Sequence, residues 1–246
     1  MTDYKFIRQI PGGCLTLVEK DRIEYVKKTI LDREIRILSK LETVEGITKI
    51  REIVPSEFIM DYIPGRDLSF WIRDKIKFTI SEIDFILTSL LVILNNIQGV
   101  AHSDVKPENI IFNREGYQID SQRLSSDGNV SKLGGSINYV WPYIGRDKSS
   151  DGEYQLKSMM LSDIFAVGVT IYQMIIRNLP YDVLPDKRYD LIHYYPYEYR
   201  SNEESYLGHT ADQINSIVDQ MIRKPKTAQS LLTEWLSDSV NDLGRL

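Results

Sequence analysis

Short apolar runs separated by turn residues fill the first third of the chain. From residue 4 to about residue 30 these runs are interrupted by Pro11-Gly12-Gly13 and by a polar turn near residue 20, a pattern that predicts three antiparallel strands. Two further strands are predicted at 46–53 and 56–63, on either side of Pro55. This part of the chain is therefore expected to form one small antiparallel sheet.

One segment inside this region has a helical period instead. Asp32 can cap a helix in which Ile35, Leu38 and Leu41 recur every three residues, a spacing that places them on one face. Glu34 lies in the first turn of the same helix. The sheet is thus expected to carry one helix that packs through an apolar stripe.

After Pro64-Gly65 the pattern becomes mainly helical, so this dipeptide marks a boundary between two parts of the molecule. Helices are predicted at 68–72, at 82–98 and over the apolar run that begins at Ser162. Two short strands are predicted at 110–112 and 118–119, around the turn 113–116.

These elements predict an α+β fold with two lobes in a single domain. We expect a small antiparallel β-rich lobe with one helix over residues 1–60 and a larger, mainly α-helical lobe over 65–246, with residues 61–64 between them. A chain of 246 residues with 42% hydrophobic and 26% charged residues can build one sizeable core or two small ones.

Charge and cysteine content exclude several classes of protein. The net charge is −5, and lysine and arginine are not clustered, which argues against a nucleic-acid-binding face. The single Cys14 excludes an internal disulfide and a cysteine-based zinc site. The amino terminus lacks a signal-like apolar core, and the apolar stretch 85–94 is too short to span a membrane. We therefore expect an intracellular, cytoplasmic protein that contacts neither nucleic acid nor membrane.

The sequence His102-Ser-Asp-Val-Lys-Pro-Glu-Asn109 has the composition of a phosphoryl-transfer loop. Asp104 can accept a proton from an attacking hydroxyl, Lys106 can neutralise charge on the moving phosphoryl group, and the Asn109 amide oxygen can hold a metal ion. Pro107 fixes φ and stiffens the turn that carries them. The alternative is a polar turn whose Asp and Asn only cap backbone groups.

This loop resembles the catalytic loop of protein kinases, H-R-D-x-K-P-x-N, with Ser103 where that family usually has Arg. The resemblance implies a bilobal kinase fold that uses ATP and Mg²⁺, with Mn²⁺ as an alternative metal. It also implies that Asp104 and Lys106 are catalytic and that His102 supports the loop. Lys106 favours a Ser/Thr kinase, because tyrosine kinases usually replace that lysine.

The stretch 10–18 can be aligned with the phosphate-covering loop of the family, L-G-x-G-x-F-G-x-V. In that alignment Gly13 keeps a family glycine, Pro11 and Thr16 replace the other two, and Val18 takes the place of the final Val. The resemblance implies that Gly12, Gly13 and Val18 contact the nucleotide. A plain hairpin turn would have the same pattern.

The stretch Tyr25-Val-Lys-Lys28 resembles the third kinase strand, which ends in a lysine that contacts the phosphates. Two registers compete, since a slip of one residue reverses the side chains that face inward. We choose Lys28, because the inward neighbour is then the compact Val26 and not Tyr25. Glu34 is implied as its carboxylate partner. The alternatives are solvated lysines on a strand and an exposed helix carboxylate.

The stretch 58–68 resembles the kinase hinge, L-V-M-E-Y-x-x-G-G-x-L. The resemblance implies that Met60 guards the back of the pocket and that the backbone from Asp61 to Ile63 contacts adenine. Farther on, Asp120 takes the place of the Asp in D-F-G and is implied, with Asn109, as a metal ligand, since Mg²⁺ prefers oxygen donors. The remainder of that triplet is Ser121-Gln122, so the usual Phe and Gly are missing.

Two later stretches extend the resemblance. Residues 135–143 match G-T-x-x-Y-x-A-P-E, the segment that seats a protein substrate, but end in Tyr143; the Arg that usually pairs with that Glu is also missing from the stretch 226–232. Residues 162–181 match the buried F helix, in which Asp163 is implied to hold the backbone of the catalytic loop. Residues 123–134 are expected to form a surface loop.

The resemblance covers residues 10–235 and identifies the chain as a member of the protein kinase superfamily that acts on a protein substrate. Two alternatives are a pseudokinase that serves as a binding module and a small-molecule kinase of the phosphotransferase type. Ser103 predicts activity without control by loop phosphorylation, and the oligomeric state is open. His193 and His209 are expected at the surface, and the Tyr-rich stretch 181–206 is either irregular packing or a partner site.

Overall fold

The fold is described from a computed structural model of the chain. The description covers residues 4–10, 15–29, 32–97, 99–115, 118–121, 136–144, 150, 154–181, 199, 203, 205 and 207–243, without the side chains of 32, 33, 118–121 and 238–243. The glycine-containing turn at 11–14, the predicted surface loop at 123–134, His193 and most of the Tyr-rich stretch lie outside the described residues.

The amino-terminal strands form an antiparallel sheet in the order β1-β2-β3-β5-β4. They are β1 (Lys5–Gln9), β2 (Leu15–Lys20), β3 (Ile23–Thr29), β4 (Ile50–Val54) and β5 (Glu57–Asp61). Asp21 and Arg22 both have positive φ in the two-residue turn between β2 and β3, the geometry that matches the twist of a hairpin. The predicted sheet is confirmed, although the strand predicted at 46–53 begins only at Ile50.

Helix α1 (Asp32–Lys40) lies against this sheet. Ile37 and Leu38 are buried in the same core cluster as Phe58 and Met60 of β5. The apolar side of this helix is therefore part of the core, and the helix contacts β4 of the sheet.

A second, smaller sheet begins just after the predicted hinge. It consists of β6 (Arg66–Asp67), β7 (Ile110–Asn113) and β8 (Gln118–Ser121), in that order. The two residues of β6 were not predicted as a strand, because a strand this short has no periodicity. Gly65 precedes it with φ +155°, and a Cβ there would lie 2.8 Å from Ile111 Cγ2, so the close approach to β7 requires glycine.

Helices make up most of the larger lobe. They are α2 (Leu68–Arg73), α3 (Ile80–Asn96), α4 (Leu156–Ile176), α5 (Ala211–Arg223) and α6 (Ala228–Leu243). Side chains fix several of their starts: Asp67 accepts from the Phe70 N–H at 2.9 Å, and Thr79 forms a reciprocal capping box with Glu82. The predicted α+β, two-lobed architecture is confirmed.

Helix α4 is the central element of the larger lobe. It is buried along most of its length, and α2, α3 and α5 all contact it. By length and composition it could cross a membrane, but 72% of its most apolar stretch is buried inside the protein, as in the core helix of a globular lobe. Among the described helices α4, and not the stretch 85–94, has this property.

The prediction that His209 lies at the surface is wrong. Its side chain is fully buried at the start of α5, between Asp84 of α3 and Trp235 of α6. Sequence periodicity could not reveal this position, because the partners of His209 are 125 and 26 residues away.

Candidate active site

Asp163 of α4 anchors the catalytic loop to the centre of the larger lobe. Its two carboxylate oxygens accept the backbone N–H groups of His102 and Ser103, both at 2.7 Å. Burial raises the pKa of Asp163 to about 7, although the two N–H donors act in the opposite direction. Asp163 therefore holds two consecutive peptide groups in place, which is the contact implied for it by its sequence position.

His102 and Ser103 shape the backbone that leads to Asp104. The buried His102 ring accepts the Asp104 N–H at its Nδ1 atom, at 3.3 Å, and burial lowers the pKa of His102 to about 4. Ser103 has φ +62°, an uncommon conformation for a residue with a side chain. The two hydrogen bonds that the His102 and Ser103 N–H groups donate to Asp163 hold this uncommon conformation.

Asp104, Lys106 and Asn109 converge within this loop. The Asn109 amide nitrogen donates to the Asp104 backbone oxygen at 2.7 Å and to Asp104 Oδ2 at 2.6 Å. Lys106 Nζ lies 3.4 Å from Asp104 Oδ1. A 3₁₀ turn over Pro107–Asn109 produces this convergence, so the loop presents a carboxylate and an ammonium side by side.

Lys106 also contacts a segment that is remote in sequence. Its Nζ donates to Ser136 Oγ at 2.7 Å, which joins the catalytic loop to the segment expected to seat the substrate. Sequence reasoning did not assign a role to Ser136, although its position beside Gly135 in the matched segment could have indicated one.

The register chosen for β3 places Lys28 inward. Its Nζ donates to Glu34 Oε1 at 2.5 Å, and both side chains are buried. The neighbouring Lys27 forms a partly exposed ion pair with Glu57 at 3.0 Å. The expected pairing of Lys28 with α1 is therefore present, despite the short connection between strand and helix.

Val18 does not share the sheet face of Lys28, so its expected place in the nucleotide pocket needs correction. Directly opposed residues of an antiparallel pair point to the same face, and Val18 opposes Tyr25 while Leu17 opposes Val26. Leu17 therefore occupies the position assigned to Val18. The alignment of the glycine loop was off by one residue, and in a strand that error exchanges the faces.

Val26 and Met60 lie on the same face of the sheet as Lys28. Val26 opposes Met60, and Lys28 opposes Phe58, so all four share one side of the sheet. Val26 and Met60 are almost fully buried. Phe58, which was not singled out from the sequence, lies under Lys28 with the Nζ atom 5.9 Å from the ring centroid.

Asp61 and Ile63 lie in the segment that joins the two sheets. The Asp61 side chain accepts two hydrogen bonds from Arg51, at 2.6 and 2.7 Å, and its backbone N–H donates to the Lys49 oxygen at 3.1 Å. An adenine contact at Asp61 would therefore use its carbonyl group. Gly12 and Gly13, the other expected nucleotide contacts, lie outside the described residues.

Asn109 and Asp120 are the expected metal ligands, and their donor types fit Mg²⁺. Because the Asn109 amide nitrogen is used toward Asp104, the amide oxygen is the atom that can face a cation. Asp120 lies on β8, directly opposite Ile111 of β7. Ile111 follows Asn109, the last residue of the 3₁₀ turn, by two positions. The fold thus brings the Asp120 backbone beside the loop, while its side chain is outside the described atoms.

Tyr143 replaces an acid that would normally pair with a distant arginine. Its ring packs edge-on against Trp141, with centroids 5.8 Å apart. Lys226, near the other end of the missing pair, instead binds Glu234 within its own helical region, at 2.8 and 3.0 Å. Tyr143 and Lys226 thus each contact a residue of their own segment.

Comparison with known proteins agrees with this geometry. The family model for the protein kinase domain matches residues 14–241. CBL-interacting protein kinase 1 of Oryza sativa subsp. japonica is 29% identical over 196 residues, which is 72% of this chain and 41% of that protein. Serine/threonine-protein kinase DCLK3 of Mus musculus is 25% identical over 241 residues, 91% of this chain and 29% of that protein.

The solved structure of Rad53 1–466 in complex with AMP-PNP has the same fold, with a TM-score of 0.66 and 17% identity, over 95% of this chain and 65% of that one. This chain spans less than half the length of the two similar kinases. The kinase-domain match covers nearly the whole chain and agrees with the buried lysine–glutamate pair and the anchored catalytic loop. The chain therefore belongs to the protein kinase family, within the eukaryotic-like Ser/Thr protein kinase superfamily.

Proposed function

We propose that this kinase domain is active and transfers the γ-phosphoryl group of ATP to serine or threonine hydroxyls of a protein. The observation that carries the proposal is the intact set of polar groups: Asp104 beside Lys106 and Asn109, and Lys28 bound to Glu34. Mg²⁺, when bound, would supply charge neutralisation between the phosphates, with Asn109 and Asp120 as its protein ligands.

Each side chain then has a defined task. The Asp104 carboxylate orients the substrate hydroxyl and accepts its proton, and Lys106 stabilises the negative charge that develops on the transferred group. Lys28 contacts the nucleotide phosphates, and Glu34 holds its flexible ammonium in position. ATP binding at the pocket beside Lys28 remains a prediction, as does an intracellular location.

The proposal is tested by Asp104→Asn, which keeps the shape of the side chain and removes the base. Phosphate transfer to a generic protein substrate should fall by about 10²- to 10⁴-fold, while affinity for a non-hydrolysable ATP analogue should be nearly unchanged. Asp74→Asn is the matched control, because Asp74 is exposed and its side chain pairs with the neighbouring, exposed Arg73. Equal turnover in the parent and the Asp104 variant would contradict the proposal.

A second candidate function is that of a pseudokinase, which binds partners without transferring phosphate. Ser121 and Tyr143, together with Pro11 and Thr16, depart from residues usual in active kinases. Absence of Mg²⁺-dependent transfer from labelled ATP in the parent chain, across several protein substrates, would favour this alternative. A small-molecule kinase is disfavoured because the segment 136–144 is joined to the catalytic loop through Ser136 and Lys106.

We also propose that activity does not require phosphate on the segment after Asp120. A guanidinium usually stands at position 103 and binds such a phosphate, whereas the Ser103 hydroxyl cannot pair with a dianion. A variant with Ser125, Ser126 and Ser131 changed to Ala, shown by mass spectrometry to be unmodified, should keep the parental initial rate. Loss of activity that Asp or Glu at one of these positions restores would show that the segment is a switch.

A further inference from the structure

A buried polar cluster in the larger lobe lies outside the phosphoryl-transfer site. It is centred on His209 and Asp84, whose side chains are 0% and 1% exposed. His209 Nδ1 lies 2.8 Å from Asp84 Oδ2, and His209 Nε2 lies 2.8 Å from the Trp235 backbone oxygen. Both ring nitrogens therefore face an oxygen acceptor.

This arrangement determines the protons that the ring must carry. A backbone carbonyl oxygen can only accept, so Nε2 must carry a proton. Asp84 already accepts hydrogen bonds from the Thr88 hydroxyl and the Trp235 indole N–H at Oδ1, and from the Ser205 hydroxyl at Oδ2. These three donors are all satisfied when Asp84 is an ionised carboxylate, and a carboxylate can only accept, so Nδ1 must then carry a proton and donate as well.

The contacts of the ring with its neighbours fit a cation. The His209 and Trp235 rings are stacked, with centroids 3.6 Å apart and planes 15° apart, and an indole face attracts a positive charge. Asp84 is the titratable group that α3 places against the ring. Asp212 on α5 and Glu234 on α6 are exposed, so they lie away from the buried pair.

The cluster also connects elements that are distant in sequence. The Ser205 N–H donates to the His209 oxygen and the Gly208 N–H donates to the Ser205 oxygen. The side chains of both Ser205 and His209 contact Asp84. Asp84 belongs to α3, and Trp235 belongs to α6. His209 thus contacts α3 through Asp84 and α6 through the Trp235 backbone oxygen.

We infer that His209 is a doubly protonated imidazolium in the folded protein at neutral pH, and that its bond to Asp84 is a proton-dependent clasp that joins α3 to His209 and, through the Trp235 backbone oxygen, to α6. An ordinary histidine loses this proton near pH 6.5. The folded chain retains the proton to higher pH than the unfolded chain does. The clasp therefore contributes stability that is complete below about pH 6.5 and is lost as pH rises through the folded midpoint.

The protonation state is tested by NMR on the parent chain, and variants serve only to assign the signals. The chain has three histidines, and His193→Gln and His209→Gln variants assign the ring signals. At pH 7 both ring nitrogens of His209 should show a bonded proton, whereas a neutral histidine ring shows one protonated and one bare nitrogen. A His209 ring with one bare nitrogen at pH 7 would overturn the inference.

The linkage to stability is tested by urea unfolding of the parent and Asp84→Asn between pH 6 and pH 9.5. At pH 6 the parent should be more stable than the Asp84→Asn variant. Above neutrality, the ratio of the unfolding constant of the variant to that of the parent should fall by up to about tenfold per pH unit. An advantage that stays constant or grows with pH would overturn the clasp. If Asp84→Asn does not fold, His209→Gln replaces it, with the same two outcomes.

Discussion

Lys27 and Lys28 are adjacent residues with opposite environments. Lys28 is buried against Glu34 and Phe58, whereas Lys27 reaches the partly exposed Glu57. The difference follows from the two-residue period of a strand, which sends neighbouring side chains to opposite faces. One of two chemically identical residues is thereby selected for the site.

Lys28→Met should reduce phosphate transfer by at least about a hundredfold, because the phosphates lose their ammonium and the buried Glu34 loses its partner. Lys27→Met is the matched control and should leave the rate within about twofold, since exposed ion pairs contribute little. Initial rates at saturating substrate measure both. Greater loss in the Lys27 variant would mean that the assigned register does not serve catalysis.

Asp163→Asn should also lower turnover, although the side chain does not touch the substrate. An amide offers one acceptor oxygen and one donor group, so the N–H of either His102 or Ser103 would face another donor. We expect kcat to fall by about tenfold or more, with little change in the affinity for ATP. Asp219→Asn, at an exposed pair with Arg223, is the control; an unchanged kcat in the Asp163 variant would contradict the anchoring role.

At the scale of elements, the contact between α4 and α5 depends on Gly168, which has no side chain. A Cβ at Gly168 would lie 2.9 Å from Met221 Cβ and 3.0 Å from Ile222 Cγ1. Glycine is unfavourable within a helix, so its presence here is explained by the close approach of α5.

Gly168→Ala should therefore destabilise the protein by about 1–3 kcal/mol through overpacking. At an exposed helical position the same change would stabilise by about 1 kcal/mol, so the sign of the effect is the test. Ile176→Ala, at the exposed end of α4, should change the free energy of unfolding by less than about 0.5 kcal/mol. A stabilised Gly168 variant in urea unfolding would show that the two helices can separate without loss.

At the scale of the whole molecule, two buried groups at one anchor oppose each other in their response to pH. The pKa of His102 is lowered from 6.5 to about 4, so its contribution to stability is present above pH 6.5 and is lost as pH falls toward 4. The pKa of Asp163 is raised from 3.8 to about 7, so its contribution is present below pH 3.8 and is lost as pH rises toward 7. Between pH 4 and 6.5 the two effects cancel in large part.

Removing one of the two groups should reveal the other. The His102→Leu variant should become less stable as pH rises from 4 to 6.5. Its unfolding constant should rise, relative to that of the parent, by up to about tenfold per pH unit. Urea unfolding across this range measures the difference. Parallel pH profiles for parent and variant would show that His102 titrates normally in the folded chain.

The sequence by itself determined the order of elements and the catalytic loop, because these depend on local signals. Apolar spacing predicted the five-strand sheet, α1 and the buried α4, and the run from His102 to Asn109 carries its chemistry within eight residues. Lys28 could also be preferred over Lys27 from the size of the neighbouring side chains. Each of these inferences needs only the period of a strand or helix, or a short spacing.

Tertiary structure decided the features that depend on distant pairing. The one-residue offset that exchanges Val18 for Leu17 became visible only from the pairing of β2 with β3, and β6 exists only because β7 lies beside it. His209 has no local signal of burial, since Asp84 reaches it from another helix. Hydrogen-bond partners and close backbone approaches between remote segments arise from tertiary packing. The spacing of neighbouring residues does not specify which remote segments pack together.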